Sequence, residues 1–340
     1  MSGLRGPSRL TAAAKYGAHI LPTIAGVILL NFFLLKLIPG DAAEVMAGES
    51  GAATAETMAI FRHHLGIDIP IWQQLLNYLG HLARFDLGFS FRYNAPVADI
   101  ILSRLPATLL LAGTSYILGL VLGVLAGTVM ATWRGRWPDR ALTGVVMLLY
   151  SMPSFCVGIL LIIVFSVQFG WLPSDGVSSI GATLTGWDLV KDRAAHLALP
   201  ALALSSQYIA IYARLTRSTM IEVQRQDFVR TAEAKGVHPI AVTFRHILRN
   251  ALIPVSTMAG LHLGGLLGGA ATVEMVFSWP GVGRLALEAV QSRDFAVLLG
   301  ILLMSSLVII LANILVDILH YWIDPRTRRR EIVARAEVAA

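Results

Sequence analysis

The sequence predicts an all-α integral membrane protein: six transmembrane helices, a basic water-exposed loop between the fourth and fifth, and a small extracytoplasmic segment between spans one and two. Three observations carry this. Of 340 residues, 56% are hydrophobic and only 14% charged, against about 25% charged in a soluble domain, and mean hydropathy is +0.67. Six apolar runs reach the roughly 20 residues a helix needs to cross a bilayer, near 18–38, 105–132, 141–169, 195–214, 252–276 and 296–322. Between the fourth and fifth lies Asp227–Pro254, whose Arg230, Lys235, Arg245 and Arg249 would each cost roughly 2.5–3.5 kcal/mol at the centre of a helix in lipid. That segment belongs in water.

The elements follow in order. Arg5, Arg9 and Lys15 precede a first run that is long enough to span and stay, rather than serve as a cleaved signal. Setting the N-terminus inside puts about two thirds of the Lys and Arg on the cytoplasmic side, the bias that orients membrane proteins. Residues 1–17 are then a cytoplasmic N-terminus, 18–38 the first transmembrane helix, 39–104 extracytoplasmic, 105–322 the core of spans two to six with the loop at 215–251, and 323–340 a cytoplasmic tail. The net charge of +6 follows this topology, so nucleic acid is not an expected partner. A lone cysteine, Cys156, forms no intrachain disulfide.

Segment 39–104 carries seven acidic residues. At its middle Trp72, Leu75, Leu76 and Leu79 share one face of an amphipathic helix, read as a cap on the outer face that serves as packing linker or as docking surface. The fourth run is the weakest, interrupted by Ser205, Ser206 and Gln207. Ser151 and Ser154 flank Pro153, which kinks the third span for packing or as a gate. Gly119, Gly123 and Gly127 repeat every fourth residue in the second span, and Gly260, Gly264 and Gly268 in the fifth. Such stripes bring helices close in lipid, within the chain, against a second subunit, or as a pathway wall. Asp317, four residues after Asn313 on the last span and toward its cytoplasmic end, makes a structural hydrogen bond or ion pair or is a transport residue. Trp279-Pro280-Gly281-Val282-Gly283 breaks the chain after the fifth span into a plain loop or, as preferred here, an outer re-entrant element contacting the pathway or the binding protein, with Glu274, Arg284 and Glu288 at its rim. The histidines are scattered and form no metal site. The motifs G-x-x-x-x-G-K-[ST], G-x-S-x-G and H-E-x-x-H are absent, so energy for any work must come from a partner or an ion gradient.

The basic loop itself reads helix, corner, helix. Gly236 fits the left-handed position that closes a helix. Pro239 suits the start of the next, on which Ile240, Phe244, Ile247 and Ala251 line one face.

Here the chain resembles a known family. RTAEAKGV from Arg230 and RHILRNALIPV from Arg245 to Val255 are similar to the cytoplasmic signature of permease subunits of binding-protein-dependent ABC importers. The signature's Glu-Ala-Ala triplet falls on Arg230, Thr231 and Ala232, its glycine on Gly236 and its late proline on Pro254. The acid is instead Glu233, and the glycine-to-proline spacing is longer than in the general pattern. Both departures fit the dipeptide, oligopeptide and nickel branch. LIPGD (Leu37–Asp41), FDLGFS (Phe85–Ser90), RLPATLLLA (Arg104–Ala112), SMPSF (Ser151–Phe155), WPGVGRLALEAV (Trp279–Val290) and WIDPRTR (Trp322–Arg328) support that branch, over roughly residues 15–328.

The resemblance implies a bacterial inner-membrane permease subunit. Residues Arg230, Thr231, Ala232, Glu233, Ala234, Lys235 and Gly236 would form a coupling helix seated on a cytoplasmic ATPase. The partners implied are a second homologous permease, two ATPase subunits or domains, and an extracytoplasmic substrate-binding protein. ATP and magnesium would bind those ATPases, and this chain would hold no cofactor. The implied cargo is a di- or oligopeptide, with nickel complexes, glutathione-like molecules and some sugars or opines in the same branch. Pathway or gate candidates are Ser151, Pro153, Ser154, Gly264, Gly268, Glu274, Trp279 and Asp317. The alternatives are a secondary transporter driven by an ion gradient and a membrane scaffold or receptor without transport.

Overall fold

The computed structural model describes residues 22, 24–33, 69–84, 86–179, 181, 183–263 and 269–323, with side chains as far as 314. Gly264, Gly268, the side chain of Asp317, segment 34–68 and the tail beyond 323 lie outside the described residues. The helices are α1 (Ile24–Phe33), α2 (Ile71–Ala83), α3 (Val97–Thr132), α4 (Trp137–Ser151), α5 (Ser154–Leu161), α6 (Gly186–Val223), α7 (Asp227–Ala234), α8 (Pro239–Ala241), α9 (Arg249–Leu263), α10 (Ala270–Val276), α11 (Val282–Gln291) and α12 (Phe295–Ile323). Two strands of two residues each, β1 (Phe89–Ser90) and β2 (Ala95–Pro96), make a hairpin. The chain is otherwise the all-helical membrane protein that the apolar runs predict.

Among the described residues three helices are long and apolar enough to cross a membrane, Val97–Thr132, Gly186–Val223 and Phe295–Ile314. A fourth span is made if α4 and the run Ser154–Gln168 count as one. Of the first expected span the described residues include α1, and of the fifth α9 and α10; residues 34–38 and 264–268 of these runs lie outside the described residues.

The span expected to be weakest is the longest helix, with 38 residues. Ser205 and Ser206 do not break it, because their hydroxyls donate to the carbonyls of Leu202 and Ala203 within the same helix, at 2.9 and 2.8 Å. A buried hydroxyl satisfied in this way carries no desolvation penalty. The kink at Pro153 is a 113° elbow. Met152 is extended (φ −91°, ψ 134°), as the ring of a following proline requires, so α5 starts afresh in a new direction.

The structure forms two compact units. One comprises residues up to Leu105 with Leu285–Leu311. In it the hairpin is held by Ser90 Oγ donating to Asp294 (2.5 Å) and Tyr93 Oη donating to Glu288 (3.2 Å). Tyr78 of α2 lies 5.9 Å from Phe32 of α1, ring centroid to ring centroid. The expected face of α2 is present, but Trp72, Leu76 and Leu79 are exposed.

The second unit, Pro106–Arg284 with the chain from Ala312, holds the glycine stripe of α3. A Cβ on Gly119 would meet Tyr208. On Gly123 it would fall 2.7 Å from Tyr212 Cβ, and on Gly127 2.6 Å from Thr216 Cβ. Three glycines four apart thus receive three α6 residues four apart. The stripe is intrachain packing between helices whose backbones approach closely.

Candidate functional site

The basic loop is built on the end of α6. Ala131 of α3, Met220 and Val223 of α6, Val229 and Ala232 of α7, Val242, Ile247 and Ala251 form one buried apolar cluster. Val229 and Ala232 are three apart, so they share the inward face of α7. That orientation leaves Arg230, Thr231, Glu233, Ala234, Lys235 and Gly236 exposed. Ala232, expected among the coupling contacts, instead faces the chain's own core.

The corner takes the shape Gly236 allows. Its φ is +75°. Val237 N–H donates to Ala232 O at 3.2 Å and Gly236 N–H to Glu233 O at 2.9 Å, the paired bonds of a Schellman ending. His238 then accepts from Ile240 N–H (3.4 Å) and Pro239 opens α8.

The second helix departs from the expected face. A π-helical stretch, Val242–Leu248, separates α8 from α9. A π turn brings residues i and i+5 together, so Val242 and Ile247 are buried while Ile240 and Phe244 turn outward with Phe228. Beside the charged face of α7 the loop therefore presents three exposed apolar side chains.

A second polar constellation lies at Trp279–Arg284. Glu274 is fully buried, not at a rim as expected. Thr108 Oγ1 donates to its Oε1 (2.7 Å) and Arg284 N–H to its Oε2 (2.9 Å), while Val282 N–H donates to Thr108 Oγ1 (2.7 Å). A carboxylate from α10 thus satisfies the open N–H groups at the start of α11. Gly281 and Gly283 leave room for it, since a Cβ on Gly281 would collide with the carboxylate. Trp279 is also buried, its indole N–H donating to Ala107 O (2.9 Å). Trp279 and Glu274 are therefore interior anchors of this unit. Ser151 and Pro153 sit exposed at the elbow and Ser154 is half-buried there. No hydrogen bond among the described residues joins the elbow to Glu274 or Trp279.

Comparison with known proteins decides the family. The family described as "Binding-protein-dependent transport system inner membrane component" matches residues 119–329, and its N-terminal companion matches 15–112. The chain belongs to this permease family. It is 41% identical over 309 residues to the glutathione transport system permease protein GsiC of Escherichia coli (strain K12), covering 91% of this chain and 96% of that one. GsiC of Shigella flexneri serotype 5b matches to the same extent. A chain of the MetNI methionine ABC transporter, crystallised in inward-facing conformations, covers 67% of this chain and 97% of its own, with TM-score 0.53 and 17% identity. At that identity the likeness is one of fold. The protein is an inner-membrane permease component of an ABC importer.

One feature of this permease escaped the sequence. Asp139, nearly buried at 4% exposure, accepts two bonds from Arg217, Nε at 2.8 Å and Nη2 at 2.9 Å. Gly135 N–H (2.8 Å) and Thr143 Oγ1 (3.4 Å) also donate to it. The signal was present: Asp139 is the sole acid between Asp99 and Asp175. Its partner stands 78 positions on, too far for local pattern to pair them.

Proposed function

We propose that this permease imports di- or oligopeptides, glutathione among them, and that the exposed face of α7 is the coupling surface on which cytoplasmic ATPases act. One observation carries the coupling reading. A short charged helix is fixed rigidly to the ends of α3 and α6 through Val229 and Ala232, while every other residue from Arg230 to Gly236 is exposed. Such a helix presents a defined surface and moves with its mount. Arg230, Glu233 and Lys235 supply charges that pair with the ATPase surface and set register. Phe228, Ile240 and Phe244 supply the apolar area beside them, and Ala232 positions the face without touching the partner.

In this reading both termini are cytoplasmic, and two ATPase subunits or domains bind ATP and magnesium. A second homologous permease completes the pathway and a binding protein delivers cargo outside. The chain performs no hydrolysis itself, in keeping with its lack of G-x-x-x-x-G-K-[ST]. The peptide assignment leans on the 41% identity to GsiC.

The test is reconstitution of the complex encoded with this chain into proteoliposomes, with labelled glutathione and trialanine as separate cargoes. ATP-dependent uptake of either, saturating with binding protein, is expected. Uptake of neither would remove the peptide assignment. Uptake that continues without ATPase subunits, on an ion gradient alone, would remove the coupling reading.

A further inference from the structure

We propose that the Asp139–Arg217 pair and an Arg214–Tyr150 stack together form a strut that carries displacement of α7 to the elbow at Met152–Pro153. The inference rests on the coupling reading of α7 and adds to it the route by which that motion enters the membrane.

The two attachments come from one short stretch of α6 and hold α4 at both ends. Arg217 binds Asp139 in the first turn of α4 through two parallel bonds. A planar guanidinium held at two points fixes orientation as well as distance. Arg214, one helical turn earlier, places its guanidinium carbon 3.9 Å from the ring centroid of Tyr150, a cation–π contact. Tyr150 is the penultimate residue of α4. Between these ends Val146 packs in a buried cluster with Met130, Ala210 and Ala213. The bidentate pair at one end, the exposed cation–π contact at the other, worth about 0.5–1 kcal/mol, and the packing of Val146 between them couple α4 to α6.

The same stretch of α6 bears the mount of α7. Met220 lies one turn after Arg217 and belongs, with Val223, to the cluster that buries Val229 and Ala232. Gly127 of α3 lies against the same stretch, a Cβ there falling 3.1 Å from Arg217 N, so α3 leaves α6 no room to shift toward it. The compliant point comes after the strut. At Met152–Pro153 the chain is extended, proline offers no N–H to rejoin the helices, and Ser151 and Pro153 are exposed. Force on α7 therefore reaches α4 through the Arg214–Arg217 stretch of α6, while α5 packs farther back on the same helix, where a Cβ on Gly158 would lie 3.4 Å from Ala203 Cβ, so tilting of that stretch relative to Ala203 is what changes the angle between α4 and α5.

The test measures that coordinate. In the assembled complex with Cys156→Ser, spin labels go on Trp137→Cys and Val167→Cys, both exposed and near the two ends of the bent pair. Their separation is measured by double electron–electron resonance, nucleotide-free and after trapping with ATP and vanadate. A change on trapping is expected with the native strut. Arg217→Gln should abolish it, Arg217→Lys should keep part of it because the charge remains while the two-point geometry goes, and Arg214→Gln should reduce it. ATP hydrolysed per glutathione or trialanine imported should rise in Arg217→Gln. A strut that only stabilised the fold would lower the amount of complex without altering that ratio. The inference is overturned if the label separation changes equally in Arg217→Gln and the parent, or if the parent hydrolyses ATP and imports cargo with a static elbow. Should Arg217→Gln fail to assemble, Arg217→Lys and Arg214→Gln decide by the same criteria. Absence of ATP-dependent uptake in the parent would instead count against the functional reading beneath it.

Discussion

Gly236→Val is the sharpest perturbation of the coupling corner. A Cβ there would meet nothing within 4 Å, so the substitution creates no collision. Its whole effect is backbone strain at φ +75°. An L-residue in the left-handed region costs about 1–2 kcal/mol, and a β-branched side chain is a rarer occupant still. The variant either keeps the corner and bears that strain, or yields and forfeits the bonds from Val237 and Gly236 to Ala232 and Glu233, each worth about 0.5–1.5 kcal/mol. By either route the formed corner loses about 1–2 kcal/mol of its margin, and since 1.4 kcal/mol is a factor of ten, uptake should fall about tenfold where the corner sets coupling. Gly236→Asn is the control, because asparagine tolerates this conformation and should keep most of the activity. Uptake and ATPase stimulation by loaded binding protein are measured at matched membrane levels. If the valine variant transports and couples like the parent, the corner does not set the coupling geometry.

Other outcomes follow from the packing. Gly123→Leu drives a side chain into Tyr212 and Ile209 O and should cost more than the about 1–3 kcal/mol of ordinary overpacking, seen as a lower Tm in detergent; Gly113→Leu, with open space at its Cβ, should not. Glu274→Ala strips the acceptor from Thr108 and Arg284 N–H, about 1–3 kcal/mol for each buried donor left unmet, and should lower Tm even without cargo. Gly88 N–H and His81 hold the Asp86 carboxyl below its usual range. Stability from that contact is present above the ordinary carboxylate pKa and lost as pH falls through the lowered one, so the protection of the Gly88 amide, measured against the intrinsic exchange rate at each pH, should drop only on strong acidification.

The apolar runs made the membrane class legible, because lipid demands long uncharged helices. The Gly236 corner was legible too, since few residues accept its φ and a proline starts the next helix. Other features depended on contacts far apart in sequence. The glycine stripe of α3 could be seen, but only Tyr208, Tyr212 and Thr216 show what it receives. Glu274 read as a rim acid because nothing local indicates that Thr108, 166 residues away, and the start of α11 would enclose it. The outward turn of Ile240 and Phe244 followed from a π-helical stretch that a 3.6-residue period does not anticipate.

The most direct measurement places a photo-crosslinking amino acid at Glu233, and separately at Arg230, in the transporting complex. A covalent adduct with the ATPase subunit, whose yield changes between nucleotide-free and vanadate-trapped states, is the expected result. Full ATP-driven uptake with no adduct to the ATPase from either position would contradict the idea that the exposed face of α7 is where the motor takes hold.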